Sequence, residues 1–441
     1  MSAATFSAIQ TPAVGADAVR SDSRLYDFNG SMIVLFFDHG LATEMLESSL
    51  MYQAASASGG LSSRQVPALD GLRGIAVTLV FLSHLQAYIP GNYGPLLIVK
   101  AAFVPGWCGV DLFFVLSGFL ITGILLDTKD ANNYFSSFYV RRILRIFPLY
   151  YCVLTIILLV AHYRAGWLDS VLPLAHDRKF YFFYLNNWWP LLRDTWHGNI
   201  IGHFWSLAVE EQFYLLWPTC IWLLPRRRVL AACLGGFGIA LALRVYLLAE
   251  FGPIRDVVEN TFARMDSLLA GAACASLVRS PRLLKRITPH IGPMGLAAAC
   301  ILAFSLPGFW DPGLFMLSVG YSALAILFAT IVLSAFLGRD ETGSAGRTLQ
   351  KPILTSLGKY SYGIYVYHVP LLMAGFAALE PTSHTQRSAW LSVAFASAAA
   401  LTIYGIAKLS YEFFEKRFLR LKQRFKPVLP AERARLSTSA R

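Results

Sequence analysis

The chain has 441 residues, of which 56% are hydrophobic and only 15% charged, with a mean hydropathy of +0.51. A soluble chain carries about 25% charge, so too little polar surface exists to coat a globule of this size. Lipid must solvate most of it, which excludes a soluble enzyme, a disordered chain and a disulfide scaffold.

Residues 1–66 are Ala/Ser-rich and only intermittently apolar; they read as a poorly ordered N-terminal extension on the cytoplasmic side. From Pro67 onward, ten runs have the ~20-residue length that a bilayer core demands. They fall near 71–90, 108–127, 144–163, 204–224, 229–249, 263–278, 288–306, 314–337, 360–379 and 388–411. The expected fold is an all-α polytopic membrane protein, a bundle of about ten transmembrane helices over 67–420. A basic cytoplasmic tail follows at 421–441.

The formal net charge of +12 would suggest nucleic acid in a soluble protein. In this chain the bases sit in short loops, where they report topology. With the N-terminus inside, 28 Lys and Arg residues fall in inner segments and eight in outer ones. Both termini are therefore expected in the cytoplasm. Most tryptophans, Trp107, Trp188, Trp189 and Trp390 among them, lie toward outer span ends. They read either as an interfacial belt or, around FYFFYLNNWWPLL, as a platform for a sugar. The six cysteines are dispersed, with no C-x-x-C pair, so neither a zinc site nor a disulfide framework is expected.

A charge in the bilayer core costs several kcal/mol and needs a partner or a task. The first span places Arg73 and His84 eleven residues apart, on one helix face and about 16 Å apart along the axis. The second carries Asp111 in its first turn, and the fourth carries Glu210 and Glu211, with His203 on the face of Glu210. The sixth opens with Arg264 and Asp266, and the ninth contains His368. These groups suggest either a reaction chamber or an ion path in the outer half. A carboxylate, Asp111 or Glu210, could orient His84 as a general base. At the inner mouth, Arg141, Arg142 and Arg145 enter the third span. Guanidinium groups there anchor topology or bind phosphates in bidentate fashion. No P-loop, G-x-G-x-x-G, H-E-x-x-H or G-x-S-x-G is present.

The ordered set Arg73-x10-His84, GVDLFFVLSGFLI, RRILRIFPLYY, FWSLAVEEQFYLLWP, RMDSLLAG, SYGIYVYH and EKRF resembles the acyltransferase-3 family of integral-membrane acyltransferases over about 67–420. The closing motif differs from that family's E-x-P-F, with Arg417 where proline is usual. The resemblance implies a multi-pass enzyme of the bacterial inner membrane that moves an acyl group, acetyl first, to a hydroxyl. Acyl-CoA would be the cytoplasmic co-substrate and a carbohydrate or glycosylated metabolite the acceptor, with no bound cofactor or metal. Of the family's motif positions the resemblance carries over Arg73, His84, Asp111, Arg145 and Glu210; the catalytic candidates are His84, Asp111 and Glu210, and the donor-binding candidates Arg73 and Arg145, with Arg142 beside them. Arg264, Asp266, His368, Trp188 and Trp189 are the acceptor-side candidates. Both direct transfer and an acyl-histidine intermediate fit. A glycan or lipid flippase is the rival class, against which stands the absence of a visible inverted repeat.

Overall fold

The computed structural model describes residues 66–88, 94–163, 174–188, 200–252, 257, 259–305, 313–338, 344–379 and 389–429. Most of the expected N-terminal extension, and Trp189, lie outside them. Among the described residues 89% are helical and none is in a strand.

The helices are α1 (Pro67–Leu85), α2 (Gly94–Phe103), α3 (Gly109–Thr128), α4 (Tyr134–Tyr163) and α5 (Leu174–Phe182). Then come α6 (Trp205–Leu223), α7 (Arg226–Phe251), α8 (Met265–Leu277), α9 (Pro281–Phe304) and α10 (Tyr321–Leu337). The described chain closes with α11 (Ser344–Leu349), α12 (Pro352–Leu379), α13 (Ala389–Ser410) and α14 (Lys416–Leu421). A helix stands at each of the ten expected positions. Among the described residues, seven stretches are long and apolar enough to cross a membrane. The other three are α6, α8 and α12. With 13 residues, α8 is short. The apolar sequence of α6 is interrupted by Glu210–Glu211–Gln212, and that of α12 by Lys359, four tyrosines and His368. Two of these three, α6 and α12, line the cavity described below.

Two helix pairs form the centre of the bundle, α1 with α12 and α3 with α8. Both meet through glycine, as helices do where no hydrophobic force draws them together in lipid. A Cβ on Gly118 of α3 would lie 1.8 Å from the Leu268 carbonyl oxygen, and one on Gly271 of α8 1.9 Å from that of Val115. At the other crossing, a Cβ on Gly358 would lie 1.8 Å from the Asp70 oxygen. The span containing α3 is 72% buried within the protein and that containing α13 only 17%. Trp390 and Leu401 of α13 accordingly present apolar surface outward, as a lipid-facing helix does.

The α3–α8 crossing is fastened by charge at both ends. Arg279 grips Asp127 in bidentate fashion, Nε to Oδ1 at 2.6 Å and Nη2 to Oδ2 at 2.8 Å. At the opposite end, Arg264 Nη2 donates to Asp111 Oδ1 at 2.8 Å, and Arg244 Nη2 to Asp266 Oδ2 at 2.8 Å. After α14 the chain folds back. Asn133 Nδ2 donates to the Lys426 carbonyl at 2.8 Å, and the Val428 N–H donates to Asn133 Oδ1 at 2.8 Å.

A methyl group at the glycine crossing should force α3 and α8 apart. Overpacking of this kind costs about 1–3 kcal/mol, so Gly271→Ala should lower the melting temperature of the detergent-solubilised protein. Gly235→Ala on α7, where nothing lies within 4 Å of the added Cβ, should leave it unchanged or raise it slightly. Equal melting temperatures for the two variants would show that the crossing tolerates separation.

Candidate active site

Five helices enclose a cavity of about 130 Å³. Arg73 comes from α1, Ser117 from α3, Arg142 and Arg145 from α4, Ser206, Glu210 and Tyr214 from α6, and Tyr362 and Tyr365 from α12. Helical spacing explains the convergence. Arg142 and Arg145 are three apart, and Ser206, Glu210 and Tyr214 are four apart, so each set shares one face. The cavity's polar lining follows from that stripe along α6.

Its charges are unequally matched. Arg73 pairs with Asp70 on its own helix at 3.0 Å. The other two cations rest on aromatic faces. Arg142 lies 5.6 Å from the Tyr214 ring centroid and 5.8 Å from that of Phe138, and Arg145 lies 6.0 Å from that of Tyr362. Glu210 is the carboxylate lining the cavity; it neighbours Ser117, Tyr214, Arg142 and Arg73. The Ser117 and Tyr214 hydroxyls bond to each other, and Tyr362 Oη donates to the Ile146 carbonyl at 2.6 Å. Three guanidinium groups against one lining carboxylate make the cavity suited to an anionic ligand.

Three histidines lie behind its wall. His84, His203 and His368 meet edge to face, with centroids 4.9 Å apart for His84–His368 and 4.8 Å for His203–His368. His368 Nδ1–H donates to the Tyr365 carbonyl at 2.6 Å, and His203 Nε2–H donates to the same oxygen at 3.1 Å. That leaves His368 Nε2 as a lone-pair nitrogen, 3.4 Å from His84 Nδ1. His84 Nδ1 also reaches the Val80 carbonyl at 2.9 Å, and a carbonyl only accepts, so Nδ1 carries the proton. The bonding pattern thus assigns the basic lone pair of neutral His84 to Nε2. Tyr365 stands between the two groups. Its side chain lines the cavity and its carbonyl holds two of the three rings. Among the described residues no group of three or more His, Cys, Asp or Glu is placed to hold a metal ion.

The structure brings Arg73, Arg142, Arg145 and Glu210 into the cavity and His84 and His368 into contact. It redistributes the other candidates. Asp111 does not orient His84; its Oδ1 accepts from Arg264 and from Ser267 Oγ at 2.9 Å. Arg264 is 2% exposed and Asp111 0%, and the Arg264 guanidinium also lies 3.9 Å from the Tyr321 ring centroid. Asp266 is held by Arg244 and by Ser322 Oγ at 2.7 Å. Arg264, through Nη2, and Asp266 therefore each bond a partner within the protein. Burial explains the change, because a carboxylate with no water nearby bonds the nearest cation. Glu210 likewise faces arginines, while His84 takes His368 as its partner. His368 lies against His84. Trp188 donates through Nε1 to Gln212 Oε1 at 2.9 Å and packs its ring on Phe262, which ties it into the helix bundle. Trp189 lies outside the described residues.

Sequence reasoning passed over Tyr214, Tyr362 and Tyr365. Their signal was present, since Tyr362, Tyr365 and His368 recur every three residues along one helix face.

The acyltransferase-domain family Acyl_transf_3 matches residues 66–407. Among curated proteins, a "Peptidoglycan O-acetyltransferase" of Listeria monocytogenes is 29% identical over 380 residues, 80% of this chain and 56% of its own length. A "Putative peptidoglycan O-acetyltransferase" of Bacillus subtilis is 30% identical over 379 residues, covering 80% and 55%. A "Putative O-acetyltransferase" of Staphylococcus aureus is 28% identical over 381 residues, covering 80% and 57%. The chain thus spans little more than half the length of these relatives. No solved structure matches it. The match from α1 nearly to the end of α13 takes in every helix that lines the cavity or carries a histidine of the cluster, and the chain belongs to the Acyl_transf_3 family of acyltransferase domains.

Proposed function

We propose that the protein is a membrane O-acyltransferase that moves an acetyl group from acyl-CoA to a glycan hydroxyl. The observation that carries this reading is the arginine-lined cavity ending at Tyr365, with the histidine cluster behind it. The names of its relatives make peptidoglycan the first acceptor to test. The basic-residue asymmetry supports ten spans with both termini in the cytoplasm. On that topology Arg73, Arg142 and Arg145 open to the cytoplasm of a bacterial cell, in its inner membrane.

The cavity's size divides the donor. At about 130 Å³ it approaches the ~150 Å³ that holds a benzene molecule. It takes the acyl thioester end, and the phosphates remain at the arginine-lined mouth. His84 Nε2 then removes the acceptor's proton as the oxygen attacks the thioester carbon. The carbon–sulfur bond breaks, and the thiolate recovers the proton from His84, giving the ester and free CoA. His368 Nε2 accepts from His84 Nδ1, holding the ring and its charge as the proton arrives. Glu210 serves the cavity by balancing Arg142 and Arg73.

The topology is tested by cysteine labelling. Cysteines placed at 226–228 and within 339–359 should react from the cytoplasmic side, and those within 164–203 from outside. Labelling of 164–203 from the cytoplasm would reverse the direction of transfer. At the mouth, Arg145→Ala should weaken acetyl-CoA binding by roughly tenfold, the loss of one charge-assisted hydrogen bond, with an unchanged melting temperature. Binding equal to the parent would remove Arg145 from the donor site.

His84→Ala should lose about 10²–10⁴-fold in turnover, the usual contribution of a general base, yet bind donor normally. His84→Gln should be nearly as inactive. His368→Gln should lower turnover by roughly tenfold or more at unaltered donor affinity. Near-parental turnover in His84→Gln, read as ester formed and CoA released, would make the histidine a packing residue.

A further inference from the structure

A second, smaller pocket adjoins the cavity and shares Arg142 with it. Arg141, Arg142 and Lys422 line it together with Thr128 and Ser137. No carboxylate lines it. Lys422 belongs to the short turn Lys422–Phe425 that follows α14, and it stands in the field of Arg141, Arg142, Arg145 and Arg73. Asp127 is engaged by Arg279 and Asp130 by Arg226, and Glu210, in the cavity, and Glu211 act on Arg142 alone of the three. Among the described residues neither Arg141, Arg142 nor Lys422 has a carboxylate within ion-pair distance.

Like charges do not gather unaided. The returning segment is held in this field by the side-chain amide of Asn133, which bonds the Lys426 carbonyl and the Val428 N–H. The Asn132 N–H adds a bond of 3.2 Å to the Val428 carbonyl. Fastening a lysine among arginines makes chemical sense when an anion neutralises them. The pocket, of about 40 Å³, is several times what a water molecule needs and suits a single phosphoryl group.

We infer that the segment 422–428 completes a phosphate site with Arg141 and Arg142, and that this site takes a phosphate of the acyl donor whose thioester enters the cavity beyond Arg142. The inference rests on the acyl-CoA reading above and adds to it the segment 422–428, Lys422 and a second pocket. A phospholipid headgroup offers the same chemistry, so the test separates the two.

The full chain is reconstituted in phosphatidylcholine nanodiscs, and acetyl-CoA binding is measured for the parent, Lys422→Ala, Asn133→Ala and Arg424→Ala. Arg424 is an exposed neighbour on the same turn and serves as control. Lys422→Ala should weaken acetyl-CoA binding roughly tenfold or more, as loss of a charged phosphate contact does. Asn133→Ala should act in the same direction, and Arg424→Ala should have little effect. Acetyl transfer from S-acetylpantetheine, which has no phosphate, should be unaltered in Lys422→Ala, showing that the catalytic site is intact. Parental acetyl-CoA affinity in Lys422→Ala overturns the inference while leaving the donor reading in place. So does a loss confined to phosphatidylglycerol binding, which would make this a lipid site. Failure of the parent itself to bind acetyl-CoA removes the donor reading and the inference with it.

Discussion

An ionised group inside an apolar bundle must be compensated by another, and this requirement organises the protein. Arg244, Asp266, Arg264 and Asp111 are each 2% exposed or less. Removing one partner of such a pair strands the other charge, which costs about 3–5 kcal/mol. The pairs therefore dictate geometry. Asp111 opens α3, Arg264 and Asp266 open α8, and Arg244 reaches from α7 to the Ser318 carbonyl and to Ser322 on α10. Four elements are bound at one level of the bundle. The glycine contacts of α3 and α8 then permit the approach that the pairs demand.

The cavity's arginines obey a different rule. Aromatic rings hold Arg142 and Arg145, at 5.6–6.0 Å from their centroids. A ring face attracts the cation and leaves its N–H donors available. Such a side chain can exchange partners when a ligand arrives, whereas Arg264, fastened to Asp111 and stacked on Tyr321, cannot do so cheaply. Two sets of intramembrane arginines thus separate by the company they keep. One set builds the frame, and the other is suited to capture.

Helix placement was legible because a long apolar run in lipid folds as a helix; a helix stands at each of the ten expected positions, and seven described stretches are long and apolar enough to cross a membrane. Which charges pair was not legible. Asp111 stands near both His84 and Arg264 in any bundle drawn from span order, and only the α3–α8 crossing decides between them. His368 could be recognised as a polar residue in a span, but its contact with His84 links positions 284 apart in sequence. Lys422 read as one more base in a basic tail. The segment that carries it is tied to Asn132 and Asn133 in another loop, contacts with no periodicity to reveal them.

The α1–α12 pair joins these observations. The Gly74 Cβ position lies 3.2 Å from the Gly358 backbone nitrogen, and ten residues later on both helices His84 meets His368. Equal offsets mean that the two helices run parallel and keep register over about 15 Å. The glycine contact at one end therefore sets the histidine contact at the other. Tyr365, three residues before His368, presents its side chain to the cavity while its carbonyl fixes the rings of His203 and His368. Cavity wall and histidine cluster thus share one helix, and the spacing of Tyr365 from His368 does not depend on a loop. A one-residue slip of α12 would rotate its side chains by about 100° and carry Tyr365 and His368 away together. The close glycine packing guards against that slip, which ties the narrowest point of the bundle to the spacing between its arginines and its base.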